Sequence, residues 1–155
     1  MCQICLLESL SEEVRWPKPL ESHISDMKLL VEKAHPFADQ FSKMQKQGNL
    51  TALEKLQPSL AANVSDLITM LDILDETREQ WWNDPKKSKQ RKEWTETYQE
   101  SKLVALQKVN NKTKETIDAM RARLGVCTKW TMGVAGGLEE IKETEGKMEV
   151  HIETR

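Results

Sequence analysis

Apolar residues recur along much of this chain at alternating steps of four and three, the spacing that places them on one face of an α-helix. The first stripe predicts a helix over residues 20–47, ended by Gly48 in a left-handed cap. It consists of Leu20, Ile24, Met27, Val31, Ala34, Ala38, Phe41 and Met44. Pro36 interrupts the stripe and predicts a kink or a break into two helices, because proline removes a backbone hydrogen bond and clashes with the preceding turn.

A second stripe predicts a helix over residues 51–82. Its members are Leu53, Leu56, Leu60, Val64, Leu67, Leu71, Leu74, Arg78 and Trp81. Thr51 followed by Glu54 has the spacing of a capping box, in which each side chain accepts a hydrogen bond from the other residue's free amide. Further apolar residues widen the stripe, so we expect this helix to be buried on more than one side.

Residues 83–85 (Asn-Asp-Pro) are the clearest break in the middle of the chain, because proline disfavours a helical conformation in the residue before it. A third helix is therefore expected over residues 85–124, closed by Gly125. Its apolar positions form two successive stripes, which indicates that the helix changes packing partner along its length.

Two polar residues of this third helix fall where its second stripe should be apolar. They are Asn110 and Thr113. One interpretation is that this part of the helix faces solvent. The other is that the two residues form a polar layer that fixes the register of a bundle or a dimer.

The N-terminal residues 1–19 are expected to form an arm that is largely irregular. A short helix beginning at Ser9 or Ser11 suits the acidic residues that follow, since carboxylates favour a helix start. The sequence Trp-Pro-Lys-Pro at residues 16–19 then ends it, because two prolines so close together favour an extended backbone. We expect Trp16 to pack across the end of the bundle.

The C-terminal residues 125–155 have the weakest pattern. Residues 138–145 fit a short amphipathic helix. Residues 147–153 alternate apolar and polar side chains, which is typical of a strand and equally compatible with a tail that lacks regular structure.

These elements predict an all-α fold, an antiparallel up-down-up bundle of three long helices. The bundle is expected over residues 20–124, with a short N-terminal arm (1–19) and a C-terminal appendage (125–155) made of a short helix, a strand or both. A chain of 155 residues is long enough to bury a core without disulfide or metal staples.

Charge is distributed unevenly along the chain. The net charge of −2 predicts no overall attraction to nucleic acid or to anionic lipid. Residues 84–123, however, carry eleven Lys or Arg and six Asp or Glu, a net charge of +5. The third helix is therefore the basic one, which is typical of a solvated face that balances acidic neighbouring helices.

The basic residues concentrate just after the Asn-Asp-Pro break, between tryptophans. This candidate interaction tip consists of Trp81, Trp82, Lys86, Lys87, Lys89, Arg91, Lys92 and Trp94. Cations beside aromatic rings can bind phosphate backbones or anionic lipid head groups. They are equally typical of a solvated loop whose tryptophans fold under it. Lysines near a helix N-terminus oppose the helix dipole, which favours a partner at this place.

Cys2 and Cys5 have CxxC spacing, but no second pair completes a zinc site and Cys127 is single. Two cysteines near the N-terminus could instead accept two lipid chains and anchor the protein to a membrane. The remaining interpretation is that both are ordinary small apolar residues. No signal peptide is recognisable, and no apolar stretch approaches the ~18 residues of a membrane span. A cytoplasmic protein is expected, with membrane association as the alternative.

No catalytic, cofactor-binding or metal-binding residues can be assigned from the sequence. The three histidines share no metal-ligand spacing with a carboxylate or a cysteine, and no glycine-rich phosphate-binding loop is present. We therefore expect a non-enzymatic interaction or scaffold module that binds a protein partner or self-associates. The alternative is a bundle that binds an anionic membrane surface through acylated Cys2 and Cys5, through the segment from Lys86 to Lys92, or through both. Nucleic acid is a disfavoured partner because the chain is acidic overall.

Overall fold

The computed structural model describes the backbone of residues 3–153, and the side chains of residue 4 and of residues 6–131. The described chain is all-α and contains no strand. Its five helices are α1 (Gln3–Glu12), α2 (Lys18–Gln47), α3 (Leu50–Trp82), α4 (Pro85–Glu96) and α5 (Glu100–Glu153). The three long helices α2, α3 and α5 pack antiparallel, with α3 in contact with both others, and α1 packs against α2 and α5. The predicted all-α antiparallel bundle is thus confirmed.

The core is built from the predicted apolar stripes. In α2 every residue of the stripe except Met44 is buried, and Met44 packs against the core while half-buried. In α3 the stripe is buried except for Leu56 and Trp81, which are half-buried. Helix α5 contributes Ile117, Met120, Leu124 and Cys127. Burial of apolar surface at regular helical spacing is what holds the three helices together.

The turn between α2 and α3 is tight and locally specified. Gly48 has φ 67°, a left-handed conformation that glycine adopts without steric cost, as predicted. Asn49 caps α3 by accepting a hydrogen bond from the Ala52 amide at 3.2 Å. The predicted capping box at Thr51 is wrong, because α3 already begins at Leu50 and Thr51 lies inside its first turn.

Helix α2 runs without interruption from Lys18 to Gln47 with Pro36 inside it. The break into two helices, one of the two outcomes expected at Pro36, does not occur. Ala34 and Ala38 on either side of the proline are both buried against the core. Their packing holds the helix together where one backbone hydrogen bond is missing.

The third predicted helix is two helices. Helix α4 ends at Glu96, and α5 begins at Glu100 after a turn centred on Tyr98. Gly125, expected to close the helix, lies inside α5, between the buried residues Leu124 and Cys127. A glycine inside a helix costs about 1 kcal/mol relative to alanine, and core packing on both sides of Gly125 outweighs this cost. The strand considered over residues 147–153 is also wrong, since the backbone is helical to Glu153.

The N-terminal segment is more regular than expected, because α1 already begins at Gln3. Its residues Ile4 and Leu7 are fully buried and belong to the main core. Trp16 packs against this core at the end of the bundle, as predicted, and its indole nitrogen donates to the Ser11 carbonyl at 2.7 Å. The burial of an apolar pair at helical spacing explains why the segment is a helix and not an irregular arm.

The polar residues in the α5 stripe are buried, and Asn110 joins a polar layer with Arg78 of α3. Arg78 is only 5% exposed and donates from Nη1 to Asn110 Oδ1 at 2.9 Å. Its Nε donates to Asp75 Oδ1 at 3.2 Å. Thr113 is fully buried and donates from its hydroxyl to the Val109 carbonyl at 2.7 Å. Of the two interpretations, the polar layer is confirmed within the single chain, and the solvent-facing helix is wrong.

This layer predicts a specific stability defect. Replacing Asn110 by leucine leaves a buried guanidinium hydrogen without its acceptor, so we expect a loss of about 1–3 kcal/mol in the free energy of unfolding. The double variant Arg78→Leu/Asn110→Leu should lose less than the sum of the two single changes, because it removes both polar partners. Urea denaturation measures both effects. The control is Asn111→Leu at the exposed neighbouring position; an equal loss there would contradict the prediction.

Candidate interaction surface at one end of the bundle

The corner between α3 and α4 sets the position of the candidate interaction tip. Trp81 and Trp82 form the last turn of α3, and both are half-buried. Asp84 caps α4 by accepting a hydrogen bond from the Lys86 amide at 2.8 Å. Pro85 occupies the first helical position, where its missing amide hydrogen is not needed. The Asn-Asp-Pro break therefore turns the chain and starts a new helix, as predicted.

Two cations of α4 lie over the two tryptophans of α3. The Arg91 guanidinium carbon is 4.0 Å from the centroid of the Trp82 ring, and its Nη1 donates to the Trp82 carbonyl at 2.7 Å. Lys87 Nζ is 5.7 Å from the centroid of Trp81. Both contacts have the distance of cation–π interactions. This hydrogen bond also satisfies the Trp82 carbonyl, which lies at the end of α3, where carbonyls have no partner within the helix.

Helix α4 differs from the other helices because none of its residues is buried. It carries five Lys or Arg and two Glu, a net charge of +3. It therefore contributes no side chain to the core. It contacts α3, through the cation–π pairs and the Arg91 hydrogen bond among others, and it also contacts α5. A helix held in this way is a surface element, since most helical stability in proteins comes from a buried apolar face.

The turn after α4 is strained. Tyr98 has φ 55°, a left-handed conformation that costs a non-glycine residue about 1–2 kcal/mol. The Gln99 amide donates to the Trp94 carbonyl at 2.8 Å and the Tyr98 amide to the Thr95 carbonyl at 3.4 Å, the pattern of a Schellman motif. Glycine is the usual residue at this place. The Tyr98 side chain is 94% exposed, so it gains no packing within the chain for this strain.

Two open clefts adjoin each other at this end of the bundle. The first, of about 720 Å³, lies between α3 and α4 and is lined by Trp81, Lys86, Lys87 and Lys89, with Gln80, Asp84 and Glu93 among its polar residues. The second, of about 860 Å³, lies between the α1–α2 turn and the start of α5. It is lined by Arg15, Trp16, Lys18, Trp81, Lys87, Leu106 and Val109, among others. Trp81 and Lys87 belong to both clefts.

The structure brings together only part of the tip suggested by the sequence. Trp81, Lys86, Lys87 and Lys89 share the first cleft. Trp82 and Arg91 are engaged with each other, Lys92 is exposed, and Trp94 is half-buried; none of these four lines either cleft. Cys2 and the side chain of Cys5 lie outside the described residues, so their predicted acylation stays a prediction.

Sequence reasoning missed the part of this surface that lies outside α3 and α4. Four residues from elsewhere in the chain line the second cleft, and no local pattern relates them to Trp81: Arg15 in the α1–α2 turn, Lys18 in α2, and Leu106 and Val109 in α5. One signal in the sequence pointed to this region: the Trp-Pro-Lys-Pro turn, whose Trp16 was expected to pack across the end of the bundle. We call the surface formed by Arg15, Lys18, Trp81, Lys86, Lys87 and Lys89 the basic end.

Neither a metal centre nor a membrane span is found in the described part of the chain. No described His, Cys, Asp and Glu side chains come together in a group of three that could hold a metal ion. Among the described helices, none has both the length and the hydropathy needed to cross a bilayer. Comparisons with protein-family models, with curated proteins and with solved structures find no match to this chain.

The contact between Arg91 and Trp82 predicts how α4 is attached. The variant Arg91→Ala removes a cation–π interaction and a hydrogen bond together. We expect amide hydrogen exchange in α4 to become at least about fivefold faster, because the free energy of local opening should fall by about 1 kcal/mol. Exchange in α2 should not change. The control is Lys92→Ala, an exposed neighbour, and equal acceleration in both variants would show that Arg91 does not hold the helix.

The strained turn predicts a stabilising substitution. Tyr98→Gly should raise the free energy of unfolding by about 1 kcal/mol, because glycine adopts the left-handed conformation freely. Tyr98→Ala keeps the strain and should bring no such gain. Denaturation in urea compares the three proteins. A glycine variant that is no more stable than the alanine variant would mean that the turn stores no strain.

Proposed function

We propose that this chain is a non-enzymatic helical-bundle module that binds a protein partner through the basic end. The observation that carries the proposal is helix α4, which has a net charge of +3 and buries no residue. Such a helix adds little to the stability of the fold. Its position beside two adjoining clefts suits a role in binding.

The strained turn at Tyr98 supports the same role. Residues kept in costly backbone conformations are concentrated at functional sites, where the strain serves binding or catalysis. Tyr98 is 94% exposed and lies directly after the basic helix α4. Tyrosine is also enriched where proteins bind one another, because it offers a large apolar area and a hydroxyl group.

The geometry of the tryptophans favours a protein partner over an anionic membrane. Tryptophans that anchor a protein at a bilayer present their rings to the lipid interface. Trp81 and Trp82 are instead half-buried, and the cations Lys87 and Arg91 lie over their rings.

The proposal predicts that charge reversal at the basic end weakens partner binding. A photo-crosslinking residue at position 89, in the cleft, should give a discrete protein adduct in the native cells, whereas one at position 46, at the far end of α2, should not. The purified partner should then bind Lys86→Glu/Lys89→Glu about tenfold more weakly than wild type. The variant Lys43→Glu/Lys46→Glu has the same change in net charge and should bind like wild type.

Three results would contradict this function. One is equal binding by the two charge-reversed variants. Another is the absence of any protein adduct from position 89. The third is flotation of the wild-type chain, but not of Lys86→Glu/Lys89→Glu, with phosphatidylserine vesicles in the absence of protein adducts, which would support the membrane alternative.

A further inference from the structure

We propose that the segment bound at the basic end is an acidic peptide segment of a protein partner with a bulky apolar anchor residue. The anchor occupies the second cleft, between the α1–α2 turn and the start of α5, which we call the groove. The flanking carboxylates meet the lysines of α4. This inference rests on the proposed function and names the chemistry of its partner.

The groove has an apolar lining that the bundle leaves uncovered. Trp16 and Trp81 approach it from the α1–α2 turn and the end of α3, and Leu106 and Val109 approach it from α5. Pro17 and Pro19 complete the lining. Val109 remains 37% exposed although it is a large apolar residue. Covering this lining with an apolar side chain would remove it from water, which is favourable in proportion to the area covered.

The charged residues of the groove are mainly basic. Arg15, Lys18 and Lys87 line it, and Glu21 is the one carboxylate among its lining residues. The neighbouring cleft adds Lys86 and Lys89, together with Asp84 and Glu93. The two linings combined thus carry five Lys or Arg and three Asp or Glu, a net charge of +2. A surface with this charge attracts acidic segments and repels basic ones, which gives selectivity as well as faster association.

The two clefts are adjacent, since Trp81 and Lys87 line both. A segment whose anchor lies in the groove can therefore continue past Lys87 into the first cleft. The first cleft offers polar partners as well as cations, since Thr77, Gln80 and Gln90 line it. Groove and cleft, at about 860 and 720 Å³, each have the size of a typical ligand site. A peptide in which an apolar residue is followed by acidic residues would place the apolar residue in the groove and the acidic residues in the first cleft.

Synthetic peptides test the chemistry on the full-length chain. The first peptide carries leucine anchors within a run of glutamates; the second has serine in place of every leucine; the third has lysine in place of every glutamate. Isothermal titration should show binding of the first peptide, at least about tenfold weaker binding of the second, and none of the third. Binding of the first peptide should weaken as salt is raised, because part of the attraction is between partly exposed charges.

Two pairs of variants locate the bound peptide. Lys18→Glu/Lys87→Glu should weaken binding of the first peptide about tenfold or more, whereas Lys43→Glu/Lys46→Glu should leave it unchanged. Val109→Ser removes an apolar wall of the groove and should also weaken binding. Val126→Ser changes an equivalent exposed valine of α5, 49% exposed, that does not line the groove, and should have no effect.

The outcomes separate this inference from the proposed function. If the serine peptide binds as tightly as the leucine peptide, or if no peptide binds at concentrations up to about 1 mM, the inference is overturned. The inference is also overturned if phosphatidylserine vesicles or single-stranded nucleic acid bind to the chain while the peptides do not. If the crosslinked partner is lost in Lys86→Glu/Lys89→Glu but not in Val109→Ser, the proposed function stands and the apolar anchor is wrong. If neither variant affects the partner, both proposals fail.

Discussion

The rest of the structure depends on the burial of the leucine stripe of α3 between two neighbouring helices. Leu60, Leu67, Leu71 and Leu74 are fully buried, and α3 contacts α2 on one side and α5 on the other. Because this helix is central, its last turn is placed by the core. The core therefore positions Trp81, and with it the point where both clefts of the basic end meet.

The buried Arg78 sets the relation between α3 and α5. Apolar stripes specify the register of two helices weakly, because neighbouring registers bury similar side chains. A buried guanidinium specifies it more strongly, because it is stable only where its hydrogen-bond acceptors are in place. Arg78 finds them in Asp75 of its own helix and in Asn110 of α5. A second contact, from Arg121 Nη2 to Asp72 Oδ1 at 2.8 Å, links the same two helices one level further along. The register in turn brings Leu106 and Val109 to the groove beside Trp81.

The core and the proposed binding surface lie in different parts of this protein. The core lies in α1, α2, α3 and α5, whereas α4 and the Tyr98 turn add charge, exposed aromatic surface and strain. This division explains why a substitution such as Tyr98→Gly is expected to stabilise the chain while altering the surface next to the basic end. Helix α4 contacts α3 through cations on tryptophan rings and also contacts α5, and Lys86 and Lys89 remain exposed.

The sequence by itself determined the helical class, the antiparallel order of the long helices and nearly every core residue of α2, because helical periodicity is a local property of the chain. It also located Trp81 and the lysines of the tip, since a charge cluster after Asn-Asp-Pro needs no tertiary information. It did not reveal that α1 is helical from Gln3, that Tyr98 breaks the third helix, or that Gly125 lies within one. For α1 and Gly125 packing was decisive, because buried neighbours compensate a weak local preference for helix. The groove, too, was decided by the tertiary structure, since Trp16 of the α1–α2 turn, Trp81 of α3 and Val109 of α5 line one cleft only when the helices pack together.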